Sequence, residues 1–185
     1  MAQTGSRINR RTALRGAGAV GAGSLLAWTQ GGASAQNGTP TAGGACGDPR
    51  SGDIVSVIGP EGTETATITV TDVLDPFEAY DPNYAPQPGF RYVAVAIEAE
   101  VTGPRPVDVY GYFFFVQDAE GFVFRNATAQ LAADSDDTVF ADASLAPGSS
   151  GAGLLTFAVL RTASVARLFF QPDAERLILA ADLRS

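Results

Sequence analysis

Hydrophobic and polar residues alternate along several short stretches of the chain, with the period of two that a β-strand with one buried face requires. The clearest stretch spans residues 91–101, in which Val93, Val95 and Ile97 share one face while Glu98 lies on the other. No stretch of useful length has the helical period. The pattern therefore predicts an all-β protein, in which this strand meets a core on one side and water on the other.

Further runs rich in Val, Ile, Thr, Phe and Leu are divided by clusters of Gly, Pro, Asp and Asn. The predicted strands cover residues 54–58, 65–74, 91–101, 108–117, 121–125, 151–160, 164–171 and 176–181, and the segment 138–145 is left open. The residues from Asp118 to Gly121 form the predicted turn of a hairpin. Seven to nine short strands favour an immunoglobulin-like antiparallel β-sandwich over a closed barrel.

The first 35 residues have the organisation of a twin-arginine export signal. Paired Arg10 and Arg11 precede a weakly hydrophobic stretch at 16–28, and the small residues Ala33 and Ala35 stand before the predicted cleavage site. As a helix, this stretch would span only about 20 Å, whereas the hydrocarbon core of a membrane is about 30 Å thick. A cleaved signal peptide is therefore predicted, with a retained membrane anchor as the alternative.

Residues 36–52 are rich in Gly, Pro and Thr and lack hydrophobic periodicity, which predicts a flexible linker. The β-sandwich domain then covers residues 53–185. The linker contains Cys46, which is the only cysteine of the chain. We interpret it as a free or intermolecularly paired thiol, because the residues before it lack the leucine-type position of a lipidation site.

Charge is distributed unevenly along the chain. All twelve basic residues are arginines, and four of them precede Gly16, whereas all twenty acidic residues follow Gln36. Removal of the signal would leave eight arginines against twenty acids, a charge of −12. Such a surface repels phosphate backbones and anionic lipids, which argues against nucleic-acid binding and against electrostatic docking to a membrane. Stable membrane insertion of the mature form is not predicted either.

The chain contains no histidine, and its single methionine is the first residue. Histidine-dependent nucleophiles, imidazole-based zinc sites and soft-ligand copper sites are therefore excluded, and no cofactor is predicted. Paired carboxylates are the remaining catalytic option. The closely spaced pairs Asp72 with Asp75 and Glu98 with Glu100 are more simply a strand end and a solvated strand face. No catalytic residue is predicted.

An acidic segment offers oxygen ligands for Ca²⁺ at Asp134, Asp136 and Asp137. The segment departs from the EF-hand loop, because Val139 stands at the glycine position and Leu145 at the terminal glutamate position. A solvated acidic loop is the favoured interpretation, with a calcium site as the alternative.

The aromatic run at 110–116 carries hydrophobic side chains on both faces of a predicted strand. Strict alternation would place Phe113 and Phe115 on the outer face, where they would form a hydrophobic patch suited to a partner or to a second copy of the chain. The favoured alternative is that the loop at 76–88, which is rich in aromatic residues and proline, folds across the sheet and covers both rings.

Four segments in this order carry a family resemblance: FRYVAVAIEAEV, YFFFVQDAEGFVF, LAPGSSGAGLLTFAV and LFFQP. They resemble the bacterial secreted immunoglobulin-like domains of unknown function, a family similar in fold to a small secreted mycobacterial antigen. The resemblance covers residues 54–183, departs at the acidic segment 134–142, and implies a sandwich fold without any catalytic residue.

The sequence thus predicts an exported, non-enzymatic binding or interaction domain of the cell envelope or extracellular space. The predicted partner is an unidentified protein or envelope component, and a homodimer is the alternative. The alternatives are a carboxylate-dependent hydrolase acting on envelope sugars and a structural or accessory domain without a ligand.

Overall fold

In the computed structural model, which describes residues 48–184, the alternating segments form ten strands. They are β1 (Ile54–Ile58), β2 (Glu64–Leu74), β3 (Phe90–Glu100), β4 (Val107–Val109), β5 (Phe114–Asp118), β6 (Val123–Arg125), β7 (Ala143–Leu145), β8 (Ser150–Leu160), β9 (Val165–Asp173) and β10 (Arg176–Asp182). The predicted signal-peptide residues Arg10, Arg11, Ala33 and Ala35 lie outside the described residues, as does Cys46.

Two four-stranded antiparallel sheets form the two layers of the fold, with strand orders β1-β2-β3-β8 and β10-β9-β5-β6. Strands β4 and β7 pair separately as a two-stranded ribbon. Side chains from the two sheets meet in one hydrophobic core, to which β3 contributes Val93, Val95 and Ile97. Phe157 of β8 and Phe170 of β9 fill the same core from opposite layers. The predicted antiparallel β-sandwich is confirmed.

The predicted strand at 108–117 is interrupted. Strand β4 ends at Val109, a short 3₁₀ helix spans Gly111–Phe113, and β5 begins only at Phe114. The Phe113 N–H donates to the Tyr110 carbonyl oxygen at 2.9 Å and closes this turn. The predicted single strand is therefore two strands, β4 and β5. The segment 138–145, for which the sequence analysis left the structure undecided, contains β7.

The alternation predicts that the second face of β3 is exposed to water, but only part of this face is exposed. Glu98 and Glu100 are exposed, but Tyr92 and Ala94 are buried beneath Phe77 in a smaller hydrophobic cluster. Phe77 belongs to the segment that was expected to cover the aromatic strand. The segment instead covers the outer face of the β3-β8 sheet, so that the predicted location of this cover is wrong.

The last residues of the predicted linker belong to the domain. The Gly52 N–H donates to the Val70 carbonyl oxygen at 2.7 Å, and Arg50 forms a β-bridge with Asp182 at the end of β10. Residues 48–52 are therefore fixed to both sheets, and the ordered domain begins before Asp53.

Asp182 lies at this contact between the two sheets, and its ionisation contributes to the stability of the fold. Its carboxylate accepts hydrogen bonds from the Arg184 side chain, with Nε at 2.8 Å, and from the Arg184 N–H at 3.0 Å. These bonds, first of all those from the side chain, lower the pKa of Asp182 from 3.8 to about 2. Because the folded-state pKa is lowered, the contribution is complete above about pH 4 and is lost as the pH falls towards 2.

Replacement of Asp182 by asparagine is therefore expected to lower the urea midpoint at pH 7 and to lower it much less at pH 2, where about half of the Asp182 carboxyl groups are protonated. The variant should lose stability less steeply than the wild type between pH 4 and pH 2, because it has no carboxylate at position 182 to be protonated in that range. Urea unfolding at pH 7, 4 and 2 measures the effect, with the exposed-loop variant Asp136→Asn as the control. Parallel pH profiles for wild type and Asp182→Asn would contradict the assignment.

Candidate functional site

An open cleft of about 290 Å³ lies at one end of the sandwich. It is bounded by the β1-β2 turn, by the segment that leads into β4, and by the end of β9. Four prolines line it: Pro60, Pro104, Pro106 and Pro172. Since the proline ring fixes the backbone angle φ and offers no N–H, these walls are stiff and present carbon atoms to a ligand.

Backbone hydrogen bonds hold the loops of the cleft in place. The Gly59 N–H donates to the Thr63 carbonyl oxygen at 2.7 Å, and the N–H groups of Thr102 and Gly103 both donate to the Thr65 carbonyl oxygen, at 3.2 and 3.0 Å. Gly103 approaches β2 so closely that a Cβ atom would lie 2.9 Å from the Thr65 Cα. The cleft is thus preformed by the packing of its own loops.

Two arginines border the cleft, and they differ in their contacts and exposure. The Arg176 Nε donates to the Asp173 carboxylate at 2.7 Å, and its guanidinium also donates to the Ile58 carbonyl oxygen. The side-chain hydrogen bond from Arg176 is the main reason that the pKa of Asp173 is lowered. Arg105, in contrast, lies 3.7 Å from Glu61, and the two side chains are 82% and 73% exposed. The mouth of the cleft therefore has one cationic group held by hydrogen bonds and one that is largely exposed.

Phe113 and Phe115 do not form the exposed hydrophobic patch that strand alternation predicts. Phe113 is half-buried and packs edge-on against the core residue Phe170, with ring centroids 6.3 Å apart. Phe115 is only 9% exposed, and the Arg125 guanidinium lies over its ring at 5.2 Å. The 3₁₀ turn breaks the strand alternation before Phe114, so that Tyr112 takes the exposed position instead.

The predicted calcium candidates do not converge. Asp134, Asp136 and Asp137 are all exposed, and Asp137 accepts a hydrogen bond from the neighbouring Ser135 hydroxyl at 3.0 Å. Between residues 48 and 184, no three Asp, Glu, Cys or His side chains form a group that could hold a metal ion. The segment has the geometry of a solvated loop.

The carboxylate pairs considered for catalysis are also separated by their contacts. Asp75 forms a two-pronged ion pair with Arg91, at 2.6 and 2.7 Å, and Arg91 continues to the Leu160 and Ala163 carbonyl oxygens. Asp72 accepts from the Val73 N–H at 2.8 Å. The contacts of Asp75 and Arg91 connect the ends of strands, which is a structural role, whereas the hydrogen bond of Asp72 is local to β2.

Sequence reasoning missed the proline-walled cleft, because its walls come from segments more than a hundred residues apart. A local signal was present in the two proline-containing turns at 59–62 and 103–106, each of which begins with Gly-Pro. Nothing in the pattern indicated that these turns face each other.

None of the helices in the described part of the chain has the length and hydrophobicity of a membrane-crossing segment.

Known structures share this fold. A secreted protein of Mycobacterium tuberculosis, MPT63, aligns with 72% of this chain and 94% of its own length, with a TM-score of 0.52 and 13% identity. The YjhA protein of Bacillus subtilis aligns with 74% of this chain and 99% of its own length, with a TM-score of 0.53 and 13% identity.

Sequence comparison gives a more specific assignment than the fold does. No curated protein matches the chain significantly. Residues 61–176, which are more than half of the chain, match the family described as domain of unknown function DUF4352. The chain belongs to the DUF4352 family.

Proposed function

We propose that the protein is an exported, non-enzymatic binding domain of the cell envelope or extracellular space, and that the proline-walled cleft holds its ligand. The observation that carries the proposal is the preformed cleft of about 290 Å³, with stiff hydrophobic walls and arginines at its mouth. Concave, mostly hydrophobic sites with a few placed polar groups are typical of ligand binding. The export signal predicted from the sequence supports the location, as does the likeness in fold to a secreted protein.

Three carboxyl groups have structural contacts that keep them ionised. The carboxyl groups with a clear change are Glu64, Asp173 and Asp182, and in each of them hydrogen bonds lower the pKa. These three groups stay ionised, as suits carboxylates that anchor loops and strand ends.

The lining of the cleft indicates the kind of ligand. Proline rings and the side chain of Val107 would contact a hydrophobic body, while the exposed Arg105 would reach a negatively charged or carbonyl group at its end. Binding then costs little reorganisation, because backbone hydrogen bonds already hold the walls.

Filling the cleft is expected to abolish capture of the ligand. Thr63 lines the cleft and is exposed, so that Thr63→Trp would place an indole ring in the space of the ligand. Immobilised protein is incubated with native envelope extract, and the retained components are compared between variants. Wild type and the control Thr138→Trp, which alters an exposed loop, should retain one component that Thr63→Trp loses at least about tenfold.

Equal retention by all three proteins would contradict binding in the cleft. Hydrolysis of envelope sugars by the purified protein, abolished by substitution of one carboxylate, would overturn the non-enzymatic assignment.

A further inference from the structure

The outer face of the β4-β7 ribbon is polar, whereas its inner face belongs to the core. Val109 is buried, and its neighbour along the strand, Asp108, is exposed and lies opposite Ser144. Residues opposite each other in an antiparallel pair share a face. Tyr110 keeps an extended backbone after β4, so alternation places it on the same outer face as Asp108.

Two tyrosines continue this face. The rings of Tyr110 and Tyr112 are nearly parallel, with centroids 5.3 Å apart and an angle of 7°. Phe113 packs edge-on against both rings, at 5.5 and 4.5 Å, and is itself packed against Phe170 of the core. The tyrosine pair is therefore held rigidly, while Tyr112 remains 56% exposed.

Two carboxylates lie beside the tyrosine pair without a cationic partner. Asp142 accepts a hydrogen bond from the Gly111 N–H at 2.5 Å, which fixes its carboxylate, and Asp108 is exposed. Every ion pair within residues 48–184 involves other acids. The charge of Asp108, followed by burial, by Tyr112 and by Asp142, raises the pKa of Tyr110. The aromatic surface thus lies in a negative local field.

We propose that this face, formed by Asp108, Tyr110, Tyr112 and Asp142, binds a basic segment of another polypeptide. An arginine or lysine side chain would lie flat on the exposed ring of Tyr112 and pair with the Asp142 carboxylate, because an aromatic face and a carboxylate both attract a cation. Asp108 offers a second charge for a neighbouring basic residue. Charge complementarity supports this occupant, since the chain beyond Gln36 carries twenty acids against eight arginines.

The surface favours a polypeptide over a small cation. The ribbon offers two separate carboxylates, Asp108 and Asp142, close to the tyrosine pair. An extended segment with two basic side chains would contact all of these groups together. This surface is distinct from the proline-walled cleft, although Asp108 borders both.

Titration of the purified protein with a hexaarginine amide peptide at low ionic strength tests the proposal. Tyr112→Ser and Asp142→Asn should each weaken binding at least about threefold. Asparagine keeps the carbonyl oxygen that accepts the Gly111 N–H, so this substitution removes the charge while preserving the turn. Neither residue lines the cleft, so the outcome is independent of ligand capture there.

Matched controls separate a local site from general attraction to an acidic protein. Tyr84→Ser removes a tyrosine of similar exposure, and Glu98→Gln removes one exposed charge from β3. Both controls should bind the peptide as the wild type does. Equal weakening by Glu98→Gln and Asp142→Asn would overturn the proposal, as would no binding by the wild type. Concentration-dependent self-association that Tyr112→Ser abolishes would assign the face to a second copy instead.

Discussion

Replacement of Phe170 by alanine is expected to lower the free energy of unfolding by about 4 kcal/mol. Phe170 is fully buried in β9 and packs against Phe114 with ring centroids 4.8 Å apart. It also supports Phe113, which holds the tyrosine pair. The substitution removes a ring between the two sheets, and the surrounding strands are too firmly paired to close the space.

Urea unfolding measures the loss, and Phe122→Ala provides the matched control. Phe122 is 65% exposed next to β6, so its truncation should change the free energy of unfolding by less than about 0.5 kcal/mol. A loss below about 1 kcal/mol for Phe170→Ala would show that the core collapses into the space, contrary to the packing described above. The Tyr112 surface should also loosen in the Phe170 variant, and the ring signals of Tyr110 and Tyr112 in NMR spectra report this.

The sandwich was predictable because its longest strands obey a simple rule. Strand β3 pairs with neighbours on both sides, and its residues Val93, Val95 and Ile97 alternate with small or polar residues. Hydrophobic periodicity reports burial on one face directly. Accordingly, every predicted end of five strands lies within one residue of the observed end, namely in β1, β2, β3, β8 and β10.

The aromatic segment was not predictable, because its conformation depends on a distant contact. Alternation assumes an uninterrupted strand, but the Gly111 N–H donates to Asp142, thirty-one residues away. The resulting 3₁₀ turn directs Phe113 towards the core and Tyr112 towards solvent. The residues around the aromatic run give no sign of this hydrogen bond. Alternation therefore predicts that Tyr112 points inward, together with Phe114 and Val116.

The cover of the second β3 face shows the same limitation. The composition of segment 76–88, which is rich in aromatic residues and proline, correctly predicts that the segment packs on a hydrophobic surface. The composition does not show on which of the two sheets the segment packs. Phe77 packs on Tyr92 and Ala94, because the Phe77 N–H donates to the Tyr92 carbonyl oxygen and places the loop beside β3. Local composition predicts that a segment is buried, whereas tertiary hydrogen bonds decide where.

Gly153 gives a second position at which a small substitution is expected to have a large effect. In β8, a Cβ atom on Gly153 would lie 2.6 Å from the Phe140 nitrogen and 2.7 Å from the Phe140 Cα. The backbone of that segment cannot move away easily, because its N–H donates to the Leu154 carbonyl oxygen at 2.9 Å and Phe140 fills the core. Gly153→Ala should therefore lower the free energy of unfolding by about 3 kcal/mol.

Gly151, two residues earlier in the same strand, distinguishes this clash from a general effect of glycine replacement. A Cβ atom there would meet the ends of the Leu145 and Phe140 side chains at 3.5 Å, which is ordinary van der Waals contact. Gly151→Ala should change the free energy of unfolding by less than about 0.5 kcal/mol, or raise it slightly by restricting the unfolded chain. If the two variants unfold at the same urea concentration, the segment before β7 is not held against β8 as described. The difference between the two variants therefore reports two features that only Gly153 has, namely the close approach of the Phe140 backbone and a backbone angle φ of +156°.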